Sequence, residues 1–143
     1  MKQPTLSLRL GTNADVDIIV DLGRDLFNNS IYRDVSSFNA NVLRDNYLRS
    51  CDLPLSEFCT VLLKSGDTVI GFISCGHAPN QFSKDKYACE LGFWIMPEEK
   101  TFAGMKMLVE AFYYWAKETG CVAALMGKLQ DGKVESYKLK VLK

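Results

Sequence analysis

The chain predicts a mixed α/β fold of the α+β kind: one mostly antiparallel sheet with a single parallel crossover through a long helix. Three observations carry this. Phe58–Lys64 and Thr68–Cys75 alternate on either side of Ser65-Gly66-Asp67, the pattern of a β-hairpin about a glycine turn. Ala88–Met96 is a strongly apolar strand that passes through a tight polar turn, Pro97–Lys100, into an amphipathic helix ending at Gly120. Directly after it, Cys121–Leu129 opens with the near-continuous apolar run of a strand buried on both faces. Strand, crossover helix and strand make a right-handed parallel pair.

The other elements follow in order. Leu6–Leu10 alternates as a first strand and Gly11 breaks it. Thr12-Asn-Ala-Asp15 has the form of a capping box. Val16, Ile19, Val20, Leu22, Leu26 and Phe27 then recur at helical spacing to about Asn28. Asn28–Asn41 reads as a polar loop tethered by Ile31, Tyr32 and Phe38, and Ala40–Arg49 as a second helix burying Val42, Leu43 and Tyr47. His77–Lys86 reads as a loop. The long helix runs from about Thr101 to Thr119 with Met105, Leu108, Phe112, Trp115 and Ala116 inward, and Gly120 as a left-handed cap.

The tail, DGKVESYKLKVLK, fits a helix or a strand. As a strand folding back at Asp131-Gly132, it sets Lys128 opposite Glu135, Met126 opposite Tyr137, Ala124 opposite Leu139 and Val122 opposite Val141. Those matched pairs favour the hairpin.

At 143 residues the length predicts a single domain, 1–143, with a sizeable core. Apolar residues make up 48% and charged residues 24%, and seventeen cations balance seventeen anions. A zero net charge lacks the basic footprint of a nucleic-acid or anionic-membrane partner. No apolar run is long enough to span a bilayer, and MKQPTLSLRL lacks an apolar signal core, so the expected location is cytoplasmic. Five cysteines, an odd number without a C-x-x-C pair, suit a reducing compartment, and a single His77 gives a zinc site little support. Cys75 and His77 form a nucleophile–base pair only if a third group orients the base, and none is evident.

The stretch Tyr87–Gly120 bears most on function. A strand running into a helix aims the helix's unpaired N–H groups at one point, where the macrodipole adds roughly half a positive charge. Such a corner can seat a phosphate.

The element order, with the residues of Cys89–Val109, resembles the GNAT superfamily of N-acetyltransferases. Glu90-Leu91-Gly92 matches that family's Glu-apolar-Gly pattern on the fourth strand, and Met96-Pro97-Glu98 its strand-closing proline. The family's [Arg/Gln]-x-x-Gly-x-[Gly/Ala] turn falls on Lys100–Met105, with Lys100, Ala103 and Met105 at the three motif positions and Gly104 one place before the last. Tyr114–Cys121 looks like the family's helix-to-strand join, and the likeness covers about Leu6–Gly127. The chain stops before the family's usual closing helix and strand.

The resemblance implies acetyl-CoA as cofactor and an amine acceptor, either a small molecule or a protein amine. It implies that the backbone of Phe93, Trp94, Ile95 and Met96 pairs with the pantetheine arm. Lys100, Thr101, Phe102, Ala103, Gly104 and Met105 would hold the pyrophosphate; an ordinary helix start is the alternative. Glu90 is the candidate base, since a carboxylate between Cys89 and Leu91 on an interior strand is desolvated toward a higher pKa. Alternatively it faces solvent or pairs with a neighbouring lysine. Tyr137 is the candidate thiolate proton donor, or packs on Met126. Tyr32 and Phe38 line the acceptor pocket or tether their loop. Two functions stay open: an acetyl-CoA-dependent N-acetyltransferase, and a catalytically inactive GNAT-like structural or interaction protein, such as a phage assembly component. An open sheet edge would serve a homo-oligomer or an assembly partner.

Overall fold

The computed structural model describes residues 4–130 and 133–142, with side chains described outside 128–138. In chain order the elements are β1 (Leu6–Leu10), α1 (Val16–Asn28), α2 (Tyr32–Val35), α3 (Ala40–Cys51), β2 (Cys59–Ser65), β3 (Thr68–Ala78), β4 (Tyr87–Ile95), α4 (Phe102–Glu118), β5 (Ala123–Gln130) and β6 (Lys133–Val141). The six strands form one sheet in sequence order. Every neighbouring pair is antiparallel except β4 and β5, which are parallel across α4. The mixed, mostly antiparallel sheet with one parallel crossover is therefore as the sequence predicts.

Both faces of the sheet are covered. Adjacent Leu62 and Leu63 on β2 are each 0% exposed because alternation sends one to each face. Leu63, Ile73 and Cys75 pack with Leu108, Phe112 and Ala116 of α4. Leu62 and Phe72 pack with Ile19 and Leu22 of α1 and Tyr47 of α3. The α4 stripe buries Leu108, Phe112, Trp115 and Ala116, with Met105 half-buried at its start. At its end Gly120 takes φ +84°, and the amides of Cys121 and Gly120 donate to Ala116 O and Lys117 O at 2.9 and 3.1 Å. That reciprocal pair is a Schellman cap, and it needs a residue free to adopt a positive φ.

Several local expectations are corrected. Tyr32–Val35 is a helical turn inside the stretch read as loop, and α3 runs on to Cys51. Val42 is 55% exposed, leaving Tyr47 as the buried anchor of α3. His77 and Ala78 belong to β3 rather than to the loop after it. Their pairing with Ala88 and Tyr87 extends the ladder beyond what alternation in β3 alone suggests.

The tail is a strand, but its register is one residue off the expected one over most of its length. Leu129 faces Val134 and Gln130 faces Lys133, as a turn at Asp131-Gly132 requires; the turn itself lies outside the described residues. A bulge between Lys128 and Leu129 then places Lys128 opposite Ser136, Gly127 opposite Tyr137 and Ala123 opposite Val141. One extra residue on one strand shifts every later pair, which side-chain matching cannot foresee.

Candidate active site

The site forms where β4 leaves β5. Tyr87, Ala88 and Cys89 pair with Ala123, Ala124 and Leu125, and there the parallel ladder ends. From Glu90 onward the described pairings of β4 are to β3 alone. Phe93 and Ile95, whose backbone groups point away from β3, thus face a V-shaped gap, with Glu90 the first residue past its vertex, while the Trp94 backbone is turned to β3. The side chains of this stretch are spent on the core. Phe93 and Ile95 pack on the α4 side, and the Trp94 indole on the α1 side donates from Nε1 to Asp25 Oδ2 at 2.7 Å. Met96 closes the strand by donating its amide to Ile70 O at 2.9 Å.

A bulge at the vertex gives Glu90 and Leu91 different fates. Ser74 pairs with Gly92 and Cys75 with Glu90, so Leu91 has no opposite number on β3. Glu90 shares its position with Cys75, whose side chain lies in the α4-side core. Leu91 and Gly92 reach the opposite face. Among the described residues the half-buried Glu90 carboxylate makes no hydrogen bond or ion pair, and partial burial pushes its pKa up to about 7. The neighbouring Cys75 and Cys89 thiols are pushed up as well: Cys75 first by its contact with Cys59, Cys89 first by burial. Neither is an activated nucleophile. His77 stacks on Trp115 with ring centroids 5.0 Å apart, and burial lowers its pKa, so it orients no base for Cys75.

Across β4 from the α4 side, a pocket of about 400 Å³ opens between the sheet and the α1–α3 pair. Phe72, Ser74, Leu91 and Gly92 floor it. Ile19, Gly23, Leu26 and Phe27 of α1 form one wall, and Leu43, Asn46, Tyr47 and Ser50 of α3 the other. Tyr32 stands on its rim, half-exposed. Phe38 does not line it: its ring packs on Phe27 at 5.6 Å and under the Arg24 guanidinium at 5.3 Å. Sequence reading missed the floor and the α3 wall. One signal was present: Gly23 sits mid-helix in α1, where a Cβ would run into Leu43 Cδ2. A glycine there marks close approach of two helices.

The α4 start is more committed than its sequence suggests. Thr101 is the N-cap, its Oγ1 accepting from the Gly104 amide at 3.1 Å. The Met105 amide donates to Thr101 O at 3.1 Å inside the helix. Those two amides are occupied, which leaves the N–H groups of Thr101, Phe102 and Ala103 outside the helix ladder. Gly104 serves packing: a Cβ there would meet Leu63 Cδ2 at 2.9 Å, so glycine lets α4 lie close on the sheet. Phe102 is 80% exposed and Met105 packs on the core, while Lys100, Thr101 and Ala103 are exposed. No acidic residue occupies this first turn. Tyr137 sits on β6 opposite Gly127, and its side chain lies outside the described residues.

Residues 28–139 match the acetyltransferase (GNAT) family. No curated protein matches the chain. Among solved structures, the chain is similar to an integron cassette protein from the mobile metagenome of Cole Harbour Salt Marsh, with TM-score 0.72 and 12% identity over 90% of this chain and 76% of that one. It is similar to AAC(6')-Iy in complex with the bisubstrate analogue CoA-S-monomethyl-acetylneamine, with TM-score 0.69 and 12% identity over 88% and 80%. A GNAT family acetyltransferase of Staphylococcus aureus gives TM-score 0.62 and 16% identity over 90% of both chains. At such identities the structures share a fold, and the family match adds membership. The splayed parallel pair, the bulge at its vertex and the matched residues agree: this chain belongs to the acetyltransferase (GNAT) family.

Proposed function

We propose that the protein is an acetyl-CoA-dependent N-acetyltransferase with Glu90 as general base. The observation that carries this is a carboxyl group at the vertex of the β4–β5 gap that has no partner among the described residues and whose pKa burial raises to about 7. A base poised near neutral pH is ionised for part of the population yet basic enough to take a proton from an amine. A perturbed carboxylate in a cleft is itself a marker of a working site.

The residues present fit the coenzyme. Of Phe93–Met96, the backbone groups of Phe93 and Ile95 offer donors and acceptors to an extended amide-bearing arm, as a sheet edge accepts an added strand, while Trp94 and Met96 turn theirs to β3. The free amides of Thr101, Phe102 and Ala103 would face a diphosphate, with the Lys100 ammonium beside them and the helix dipole behind. When bound, acetyl-CoA supplies the acetyl group as a thioester. Glu90 takes the proton of the attacking amine as its nitrogen bonds the acetyl carbon and the C–S bond breaks. The electron pair leaves with sulfur, which is protonated in turn; Tyr137 is our assignment for that donor.

A second reading, a GNAT module without catalysis that serves an assembly, draws on one observation: the Thr101 hydroxyl already occupies the Gly104 amide. Thermal denaturation with acetyl-CoA separates the two. Coenzyme at a hundred times its Kd adds about 2.7 kcal/mol to the folded state, an increase of several degrees in Tm. No increase at millimolar coenzyme would leave the second reading.

A further inference from the structure

We propose that the acceptor is an amine of a single positive charge carried on an apolar, aryl-alkyl or alkyl body, seated in the pocket between α1, α3 and the sheet. The inference rests on the acetyltransferase reading and adds to it the class of substrate.

The pocket's size, about 400 Å³, is in the small-molecule range. Its surface is mostly aliphatic and aromatic carbon from Ile19, Leu26, Phe27, Leu43, Phe72 and Leu91. Among the described residues none of those lining it is charged. Two of its hydroxyls are already committed: Tyr47 donates to Thr12 O at 2.7 Å, and Ser74 shares a hydrogen bond with Thr60 at 2.9 Å. The nearby acids of α1 are engaged elsewhere. Asp17 pairs with Arg44 and Asp21 with Arg24, and Asp25 accepts from the Trp94 indole.

A second ammonium drawn into this pocket would find no carboxylate, and an unpaired buried charge is far costlier than the contacts it displaces. One ammonium has a place to go. Glu90 lies on the other face of β4, and the two faces meet where β4 parts from β5 after Cys89. The floor reaches β4 beside that gap, at Leu91 and Gly92, so the reacting nitrogen sits at the gap while the body fills the α1–α3 end. The ammonium first gives up one proton to solvent. The neutral nitrogen then bonds the acetyl carbon as the thioester C–S bond breaks, its second proton passes to Glu90 across the gap, and the leaving thiolate takes a proton to become the free thiol. Polyamines are disfavoured by the same lining that favours an arylalkylamine.

The test compares 2-phenylethylamine with spermidine as acceptors at saturating acetyl-CoA, following free thiol release. We expect kcat/KM at least a hundredfold higher for 2-phenylethylamine; equal or reversed values overturn the proposal. Calorimetric titration of the same two amines is run alongside, because it does not depend on turnover. If neither amine is acetylated but 2-phenylethylamine binds at least tenfold tighter, the transfer reading fails and the pocket assignment stands. Equal or reversed affinities overturn the assignment. A Ser50→Asp variant, which adds a carboxylate to the α3 wall, is expected to narrow the preference at least tenfold in both measurements. An unchanged ratio would show that the amine binds elsewhere.

Discussion

Two carboxylates in this molecule, one at a helix start and one in the middle of a strand, are treated in opposite ways. At the start of α1, Asp15 is 6% exposed and fully partnered. Its two oxygens accept from the Arg9 guanidinium at 2.9 Å each, and one accepts the Thr12 amide at 2.8 Å. The Arg9 hydrogen bond leads in holding its pKa below the ordinary carboxylate value. In mid-β4, at the vertex of the gap, Glu90 is half-buried with no partner among the described residues, and burial raises its pKa to about 7. The α4 start carries only the Thr101 hydroxyl, with no acid of its own. The first position uses its anion to join β1 to α1. On the proposed function, the second holds its carboxyl group for the acceptor amine, and the α4 start at the far end of the same strand holds its dipole for the coenzyme.

The contrast can be broken at Glu90 first. Glu90→Gln should lower kcat for acetyl transfer by about a hundredfold or more, the usual yield of a general base. The wild-type rate should rise with pH through about 7, and the variant should lose that limb. Stability moves the other way. Burial favours the protonated acid, so the folded state holds a proton that the unfolded chain releases near pH 4.5. The penalty is absent below pH 4.5, grows between there and 7, and is full above. Glu90→Gln should therefore raise Tm by several degrees at pH 8 and leave it unchanged at pH 4, checked by melts at the two pH values.

Asp15→Asn is the converse experiment. It should lower stability by about 2 kcal/mol at pH 7 through loss of the ion pair and weakening of the capping contact, read as a lower urea midpoint. Because the Asp15 pKa is depressed, that contribution is present above the ordinary carboxylate value and is lost as pH falls through the folded-state value. Wild type and variant should converge in acid.

Thr101→Val tests whether the α4 cap serves the fold or competes with a ligand. Loss of the cap should cost about 1 kcal/mol of stability. If the freed Gly104 amide joins the diphosphate seat, acetyl-CoA should still bind within about threefold of wild type despite that loss, measured by calorimetry. The smallest effect is expected at Lys100. An exposed cation contributes about 0.3–1 kcal/mol, so Lys100→Ala should weaken coenzyme binding only a few-fold, and added salt should erase the difference.

How far the sequence reached into the site depended on how local each feature is. Glu90 was legible because its neighbours Cys89 and Leu91 mark an interior strand, and desolvation follows from that alone. The Thr101–Gly104 contact was not, because a glycine inside a phosphate-like turn reads the same whether it admits a ligand or a neighbouring Leu63. Tyr32 and Phe38, isolated in a polar stretch, read as pocket residues or as tethers alike; Tyr32 stands at the pocket and Phe38 tethers its loop to Phe27. Leu43, Phe72 and Ser74 were hidden because they come from two distant elements, α3 and β3, brought together only by packing.

What the residues determined by themselves are the features written within a few positions of chain: the box at Thr12–Asp15, the turn at Gly66 with φ +60°, the cap at Gly120 and the helical stripe of α4. Each depends on backbone propensity or a short period, which neighbours in sequence fully specify. Tertiary structure decided the parting of β4 from β5 after Cys89, the unpaired Leu91, the one-residue slip of β6 and the charge-free pocket beneath α1 and α3. These are set by which strands meet and where an extra residue is absorbed, a balance struck among distant segments only once the sheet has closed around its core.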